Sequence, residues 1–360
     1  MMPLHFAAVA TASRSFSNNP ILGSERLNRW GLHARRVAVA QRLARWRRCW
    51  LAKGLPAEDI ATFERDGILV KPDFLPPERF ARLRAEIERL RAPARETRQG
   101  SAISRLIPLS PSVLRALPET RALINSPAWQ RLLGYVTSAD IGPVLFIQAI
   151  HSQVDGRADD PQTELHSDTF YPSMKCWLYL HDVAVEDGPF VYVPGSHRAT
   201  LRRLSWERAR SIAWRQGNGH TGRGSLRVDA GMLQRLGYGP ARPYAVKANT
   251  LVIADTYGFH ARGVSARPST RIALWGQARR NPFLPWPGLS PTRFGWVRDR
   301  QAVAFWTLRD TLARLGLARP YMTDVGLVRP WDVPQSVGAT TGPCRASIAR
   351  ACDPGMSPQA

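Results

Sequence analysis

Three side chains in this sequence have the types and the spacing of a metal site. His166 and Asp168 are separated by one residue in Glu164-Leu-His166-Ser-Asp168, so on an extended strand both leave the same face. His260 lies ninety-four positions further on, just past the apolar run 251–254, which reads as a buried strand. Two imidazoles and a carboxylate on one face of a metal leave the opposite positions open, the arrangement of non-haem Fe(II) oxygenases. Arg271 follows His260 by eleven residues, and on a strand it shares a face with Ala273, Trp275 and Gln277. If that face points inward, the guanidinium must meet an anion, because an unpaired buried charge is very costly. Its planar fork matches a carboxylate. The plainer alternative is a buried ion pair with Asp255.

A His-x-Asp pair alone is a weak signal, and its weight comes from context. Here the pair is followed by Gly188-Pro-Phe-Val-Tyr-Val-Pro194-Gly195-Ser196-His197 and then by His260 and Arg271 in order. On these motifs, residues 56–280 resemble the phytanoyl-CoA dioxygenase family of iron- and 2-oxoglutarate-dependent oxygenases. The resemblance implies Fe(II) held by His166, Asp168 and His260, with 2-oxoglutarate as co-substrate and O2 as oxidant. It implies Arg271 on the distal carboxylate of 2-oxoglutarate, with Trp177 and Gln148 at positions that contact the co-substrate. No catalytic side chain beyond the metal ligands is expected. Related halogenases lack the carboxylate ligand, so Asp168 favours hydroxylation of an unactivated C–H bond with release of succinate and CO2. His197 is read as fixing its turn, and His5, His33, His151, His181 and His220 as surface or loop residues.

The elements that must position these residues are short strands closed by Gly and Pro turns. They indicate an all-β core with flanking helices (α+β), a double-stranded β-helix or jelly roll of the cupin-like kind. Residues 144–151 and 175–180 read as strands, the second with Lys175, Trp177 and Tyr179 on one face. Residues 56–66, stopped by Gly67, and 77–90 read as bracing helices. Residues 92–140 read as polar loop with short helical pieces, candidates for substrate-covering structure. The basic insert 199–247 is expected to shape the substrate entrance. The chain is thus divided into a loosely ordered N-terminus (1–23), a basic amphipathic helix (24–54), the oxygenase domain (55–285), a C-terminal helical extension (286–332) and a disordered tail (333–360).

Charge is lopsided: 50 Lys and Arg stand against 28 Asp and Glu, a net of +22. Residues 1–54 alone carry ten basic side chains against Glu25. Leu32, Val39, Leu43, Trp46 and Trp50 recur at helical spacing among those arginines. Such a helix either packs its apolar stripe on the core or lies on an anionic membrane. Nucleic acid is disfavoured, since no recognition motif accompanies the charge. Four scattered cysteines and no long apolar run fit a cytoplasmic protein, at most peripheral on the inner face of a membrane. The implied partner is a small-molecule or lipid-like substrate: the basic front helix suggests an acidic, amphiphilic or acyl type, and a small metabolite is equally permitted. The rival readings are a non-catalytic barrel-fold binding or regulatory protein tethered to membrane by the basic helix, and a zinc hydrolase on the same triad.

Overall fold

The computed structural model describes residues 2–152, 160–217 and 219–334, so the calls on 335–360 lie outside the described residues. Two antiparallel sheets face each other. The large one has eight strands in the order Ile68–Lys71, Leu251–Asp255, Met174–Tyr179, Ser269–Ala278, Val144–Ser152, Ala102–Pro108, Ala92–Gln99 and Thr323–Val328. The small one holds Arg242–Tyr244, Phe190–Tyr192 and His260–Arg262 and is extended by bridges from His166 to His260 and to Arg227.

Alternation along the large sheet separates two environments. Ile147, Ala149, Cys176, Leu178, Ile253, Ile272 and Leu274 point outward into the main core, where Phe63, Leu83 and Ile87 of the bracing helices and Trp129 and Leu132 of the helix Pro127–Thr137 cover them. Each fully buried aliphatic or aromatic side chain contributes roughly 1.5–3 kcal/mol there. Gln148, Ile150, Lys175, Trp177, Tyr179, Arg271 and Trp275 point the other way, into a cavity between the sheets. The bracing helices run Ala57–Asp66, stopped by Gly67 at φ 75°, and Pro77–Arg89.

The region 92–140 departs from the loop reading, because 92–99 and 102–108 are full strands of the large sheet. Their sequence is polar for a physical reason. Thr97, Gln99 and Ser104 line the cavity, and on the outer face Arg105 is fully buried against Glu96, Nε to Oε1 at 2.8 Å. The C-terminal extension likewise contains, besides the helix Gln301–Arg314, the strand Thr323–Val328 at the sheet edge. At the N-terminus, Phe16 and Leu22 are buried with Leu226 rather than loosely held.

The basic helix is broken at Gly31 (φ 91°) into Glu25–Arg29 and Leu32–Leu51, and it turns the opposite face inward from the packing expected. Val37, Ala40 and Ala44 make a close contact with the body, while Trp46 and Trp50 are 56% and 65% exposed. Arg36, Arg47 and Arg48 are the long residues that go inward. Each meets backbone carbonyls: Arg36 those of Val9, Thr11 and Ser13; Arg47 those of Ser138, Pro282 and Leu284; Arg48 those of Tyr135 and Val136. A guanidinium with five donors satisfies carbonyl clusters that no apolar side chain could, and this overrides the apolar stripe. Arg48 also reaches Asp255 at 3.1 Å, so Asp255 pairs with this helix and not with Arg271.

Candidate metal centre

His166 and His260 lie directly opposite each other, each backbone N–H donating to the other's carbonyl at 3.0 Å. Their rings are 4.6 Å apart between centroids. His166 Nδ1 stands 2.8 Å from the Glu164 carbonyl and His260 Nδ1 3.0 Å from that of Gly258. A carbonyl only accepts, so each Nδ1 carries the proton and each Nε2 presents its lone pair to the centre. Asp168 is placed by its N–H to the Thr256 carbonyl at 2.9 Å, and its Oδ1 lies 3.7 Å from both Nε2 atoms. The three candidate ligand atoms all fall within 4.8 Å of one another. Buried His260 Nε2 has no hydrogen-bond partner, and this orphaned acceptor fits a metal ion.

The other carboxylate oxygen is engaged differently. Lys175 Nζ sits 2.7 Å and an Arg279 guanidinium nitrogen 3.5 Å from Asp168 Oδ2. Burial pushes the Asp168 pKa up, but Lys175 first, then His260, Arg279 and His166, outweigh it and hold the carboxyl well below the usual range. Burial pushes His260 down to about 3, against the opposing pull of Asp168. Both states, anionic carboxylate and neutral imidazole, are the ones that bind metal.

Arg271 faces into the same cavity of about 300 Å3 from the large sheet. Its Nε and one terminal nitrogen are buried without a partner, and burial lowers its pKa to about 10. Trp177 and Gln148 line this cavity too, joined by a Trp177 Nε1 to Gln148 Oε1 hydrogen bond of 3.3 Å. All six residues singled out in the sequence thus border one space. His197 does not: it is buried outside, against Phe63 at 5.5 Å between ring centroids. Within its turn, Ser196 Oγ accepts from Phe259 N–H at 2.8 Å and so fixes the strand carrying His260. His33 and His151 are buried rather than exposed, His33 against Glu207 at 2.9 Å and His151 against Thr270 at 3.1 Å. The insert 199–247 contributes no cavity-lining side chain among the described residues; its Arg203 packs over Phe259, 3.7 Å from the ring centre, behind the metal strand.

Sequence reasoning missed Lys175, Arg279 and Arg262. Lys175 alternates with Trp177 and Tyr179 on an inward face, and an inward lysine demands a carboxylate; that signal was present. Arg262, ion-paired to Asp160 at 2.6 Å, carried no such mark.

The phytanoyl-CoA dioxygenase (PhyH) family model matches residues 63–232, a span that includes His166, Asp168 and the Gly188–His197 turn. No curated protein matches the chain. Among solved structures, the chain is similar to the non-haem α-ketoglutarate-dependent epimerase SnoN from nogalamycin biosynthesis, at 16% identity and a TM-score of 0.38, covering 65% of this chain and 91% of that one. It is similar to iron-bound HygX from Streptomyces hygroscopicus at 20% identity and a TM-score of 0.36, covering 62% and 86%. Similarity to AviO1 from Streptomyces viridochromogenes Tue57 is 17% identity with a TM-score of 0.37, covering 61% and 93%. The family match ends before His260 and Arg271, and the fold returns both to its motif. Residues 63–232 of the chain thus match the phytanoyl-CoA dioxygenase (PhyH) family, and that match includes two of the three candidate metal ligands.

Proposed function

We propose that this chain hydroxylates an unactivated C–H bond of a small-molecule substrate, with His166, Asp168 and His260 as the Fe(II) ligands and Arg271 on the distal carboxylate of 2-oxoglutarate. One observation carries the reading: a buried unpartnered imidazole nitrogen and a buried unpartnered guanidinium border one cavity from two facing sheets. Each is costly to bury alone, and a ligand spanning metal and arginine relieves both. When bound, iron and 2-oxoglutarate supply the oxidation, with succinate and CO2 released. The protein's residues hold and shield. The two Nδ1–carbonyl bonds fix the imidazoles. Lys175 and Arg279 occupy Asp168 Oδ2, which leaves Oδ1 to the metal. Trp177 packed at a tilt against Phe190, 4.6 Å between centroids, walls the cavity beside His260 against water.

A zinc hydrolase has no use for the unpaired Arg271, and a non-catalytic barrel has no use for either orphaned group. The discriminating experiment is anaerobic titration with Fe(II) and 2-oxoglutarate. A weak metal-to-ligand charge-transfer band is expected, lost in Asp168→Ala together with substrate-dependent succinate formation. Succinate formation at the unmodified rate in Asp168→Ala overturns the assignment.

A second reading is favoured by the outward face of the N-terminal helices. Trp30, Val39, Trp46 and Trp50 are exposed there among Arg26, Arg29, Arg35, Arg42 and Arg45, with Arg26 over the Trp30 ring at 4.8 Å. Exposed tryptophan among arginines, of which Arg29 is paired to Glu25 at 2.7 Å, suits the interface of an anionic bilayer. No described helix is long and apolar enough to cross a membrane. Full-length protein is expected to float with phosphatidylserine-containing vesicles and not with neutral ones; equal recovery removes this reading.

A further inference from the structure

The cavity has two cationic poles, and 2-oxoglutarate accounts for one. Arg271 is the first. The second gathers around the far oxygen of Asp168, where Lys175 and Arg279 line the cavity. The N-terminal segment brings a further guanidinium to it. Asn281 Nδ2 donates to the Ala10 carbonyl at 3.1 Å, and Phe16 and Ser17 N–H donate to the Gly222 carbonyl at 2.9 and 3.0 Å. Residues 10–17 therefore run from beside Arg279 to the segment 222–226, which is itself held to the metal-ligand strand by Ser167 N–H on the Leu226 carbonyl at 3.0 Å. Arg14 lies midway, its backbone packed so closely on Gly224 that a Cβ there would stand 2.2 Å from the Arg14 carbonyl.

Charge at this pole does not balance. Lys175, Arg279 and Arg14 are three cations, and Asp168 is the one carboxylate among them, already assigned to a dication. Among the described residues neither Arg14 nor Arg223, which adds a fourth positive charge nearby, has a carboxylate within ion-pair distance. Burial first, and then Arg279, lower the Arg14 pKa against the opposing pull of Asp168, which places Arg14 within electrostatic reach of both. Arg279 remains 40% exposed, so the pole is open to a ligand arriving from solvent. Guanidinia in a partly desolvated mouth select for carboxylate and phosphate oxygens.

We propose that the substrate of this enzyme carries an anionic group, a carboxylate or phosphate, and that Arg14 and Arg279 bind it at the mouth beside the metal while Arg271 takes the co-substrate. The proposal rests on the oxygenase reading and names the substrate class for it. Docking the anion at that mouth presents the carbon chain attached to it to the metal-facing wall of the cavity.

The test is calorimetric titration of full-length protein, anaerobic and saturated with Fe(II) and 2-oxoglutarate, using hexanoate, inorganic phosphate and the neutral match hexanamide. Hexanoate or phosphate is expected to bind saturably and hexanamide at least tenfold more weakly. Arg14→Gln and Arg279→Gln each weaken anion binding at least tenfold, and Arg14→Gln leaves the charge-transfer band in place. Arg121→Gln, an exposed arginine remote from the mouth, changes nothing. Arg279 is part-exposed, so its variant keeps the test readable should Arg14→Gln fold poorly. Hexanoate and phosphate both binding no tighter than hexanamide, or variants within twofold of the parent, overturns the proposal. A missing charge-transfer band instead overturns the oxygenase reading; the anion titration is then repeated on Arg271→Gln protein, where the mouth alone is cationic.

Discussion

Asp168 answers to two sets of neighbours at once: Oδ1 stands equally far from both imidazoles, while Oδ2 is held by Lys175. A carboxylate clamped at one oxygen has lost the rotation that would make it bidentate or turn it from the ion. Groups that orient a metal ligand this way are worth roughly 10–100-fold in metal affinity. Lys175→Met is therefore expected to weaken Fe(II) binding by about that factor in an anaerobic titration, with the fold intact by circular dichroism; unchanged affinity would assign Lys175 a purely structural part. Arg271→Gln should separate from it cleanly. Charge-assisted hydrogen bonds contribute about 1.5–3 kcal/mol, so the KM for 2-oxoglutarate should rise roughly 10–100-fold while Fe(II) affinity stays put. That His166, Asp168, His260 and Arg271 converge on one cavity was legible in the sequence, because their spacing survives without knowledge of the fold. Lys175 was not read although alternation put it on the face of Trp177, and Arg279 was not read because a basic residue just past a strand usually means solvent.

Among the elements, the basic helix and the strands 92–99 and 102–108 were misread for one reason. Periodicity weighs apolar residues, whereas here arginines do the inward work by saturating carbonyls and carboxylates. The bracing helices, with apolar inner faces and Pro or Gly at their ends, were read correctly to within a residue or two. The most consequential of the inward arginines is Arg48. Its partner Asp255 accepts N–H bonds from Ser173 at 3.2 Å and Tyr257 at 3.0 Å, and burial lifts the Asp255 pKa in spite of the arginine. The turn after Asp255 leads straight to His260, and Tyr192 Oη donates to the Asp255 carbonyl at 2.9 Å to close it. Removing one partner of a buried pair costs roughly 3–5 kcal/mol, so Arg48→Ala should lose about that much in urea unfolding. It should also weaken Fe(II) binding, although Arg48 lies outside the cavity lining; metal affinity equal to that of the parent would uncouple the helix from the site.

For the whole molecule, acid is the condition to watch. Burial pushes His151 down to about 4 and His197 to about 3, both away from the metal. Each is neutral when folded and takes up a proton on unfolding below its ordinary pKa of about 6.5. The unfolded state thus binds more protons, and stability falls as pH drops from about 6.5 towards 4, by up to roughly 1.4 kcal/mol per unit for each histidine. His197→Phe should flatten that slope in denaturation curves measured from pH 7 to 4.5, and a slope unaffected by the change assigns the acid sensitivity elsewhere. The N-terminal helices enter this balance as part of the body. With Arg47 gripping residues 282–284 and Arg48 seated on Asp255, a chain trimmed to begin at residue 55 would leave two clusters of carbonyls without their donors and one buried carboxylate without its cation. Shortening the protein to isolate its barrel would deliver a core that no longer keeps its own metal-bearing hairpin in place.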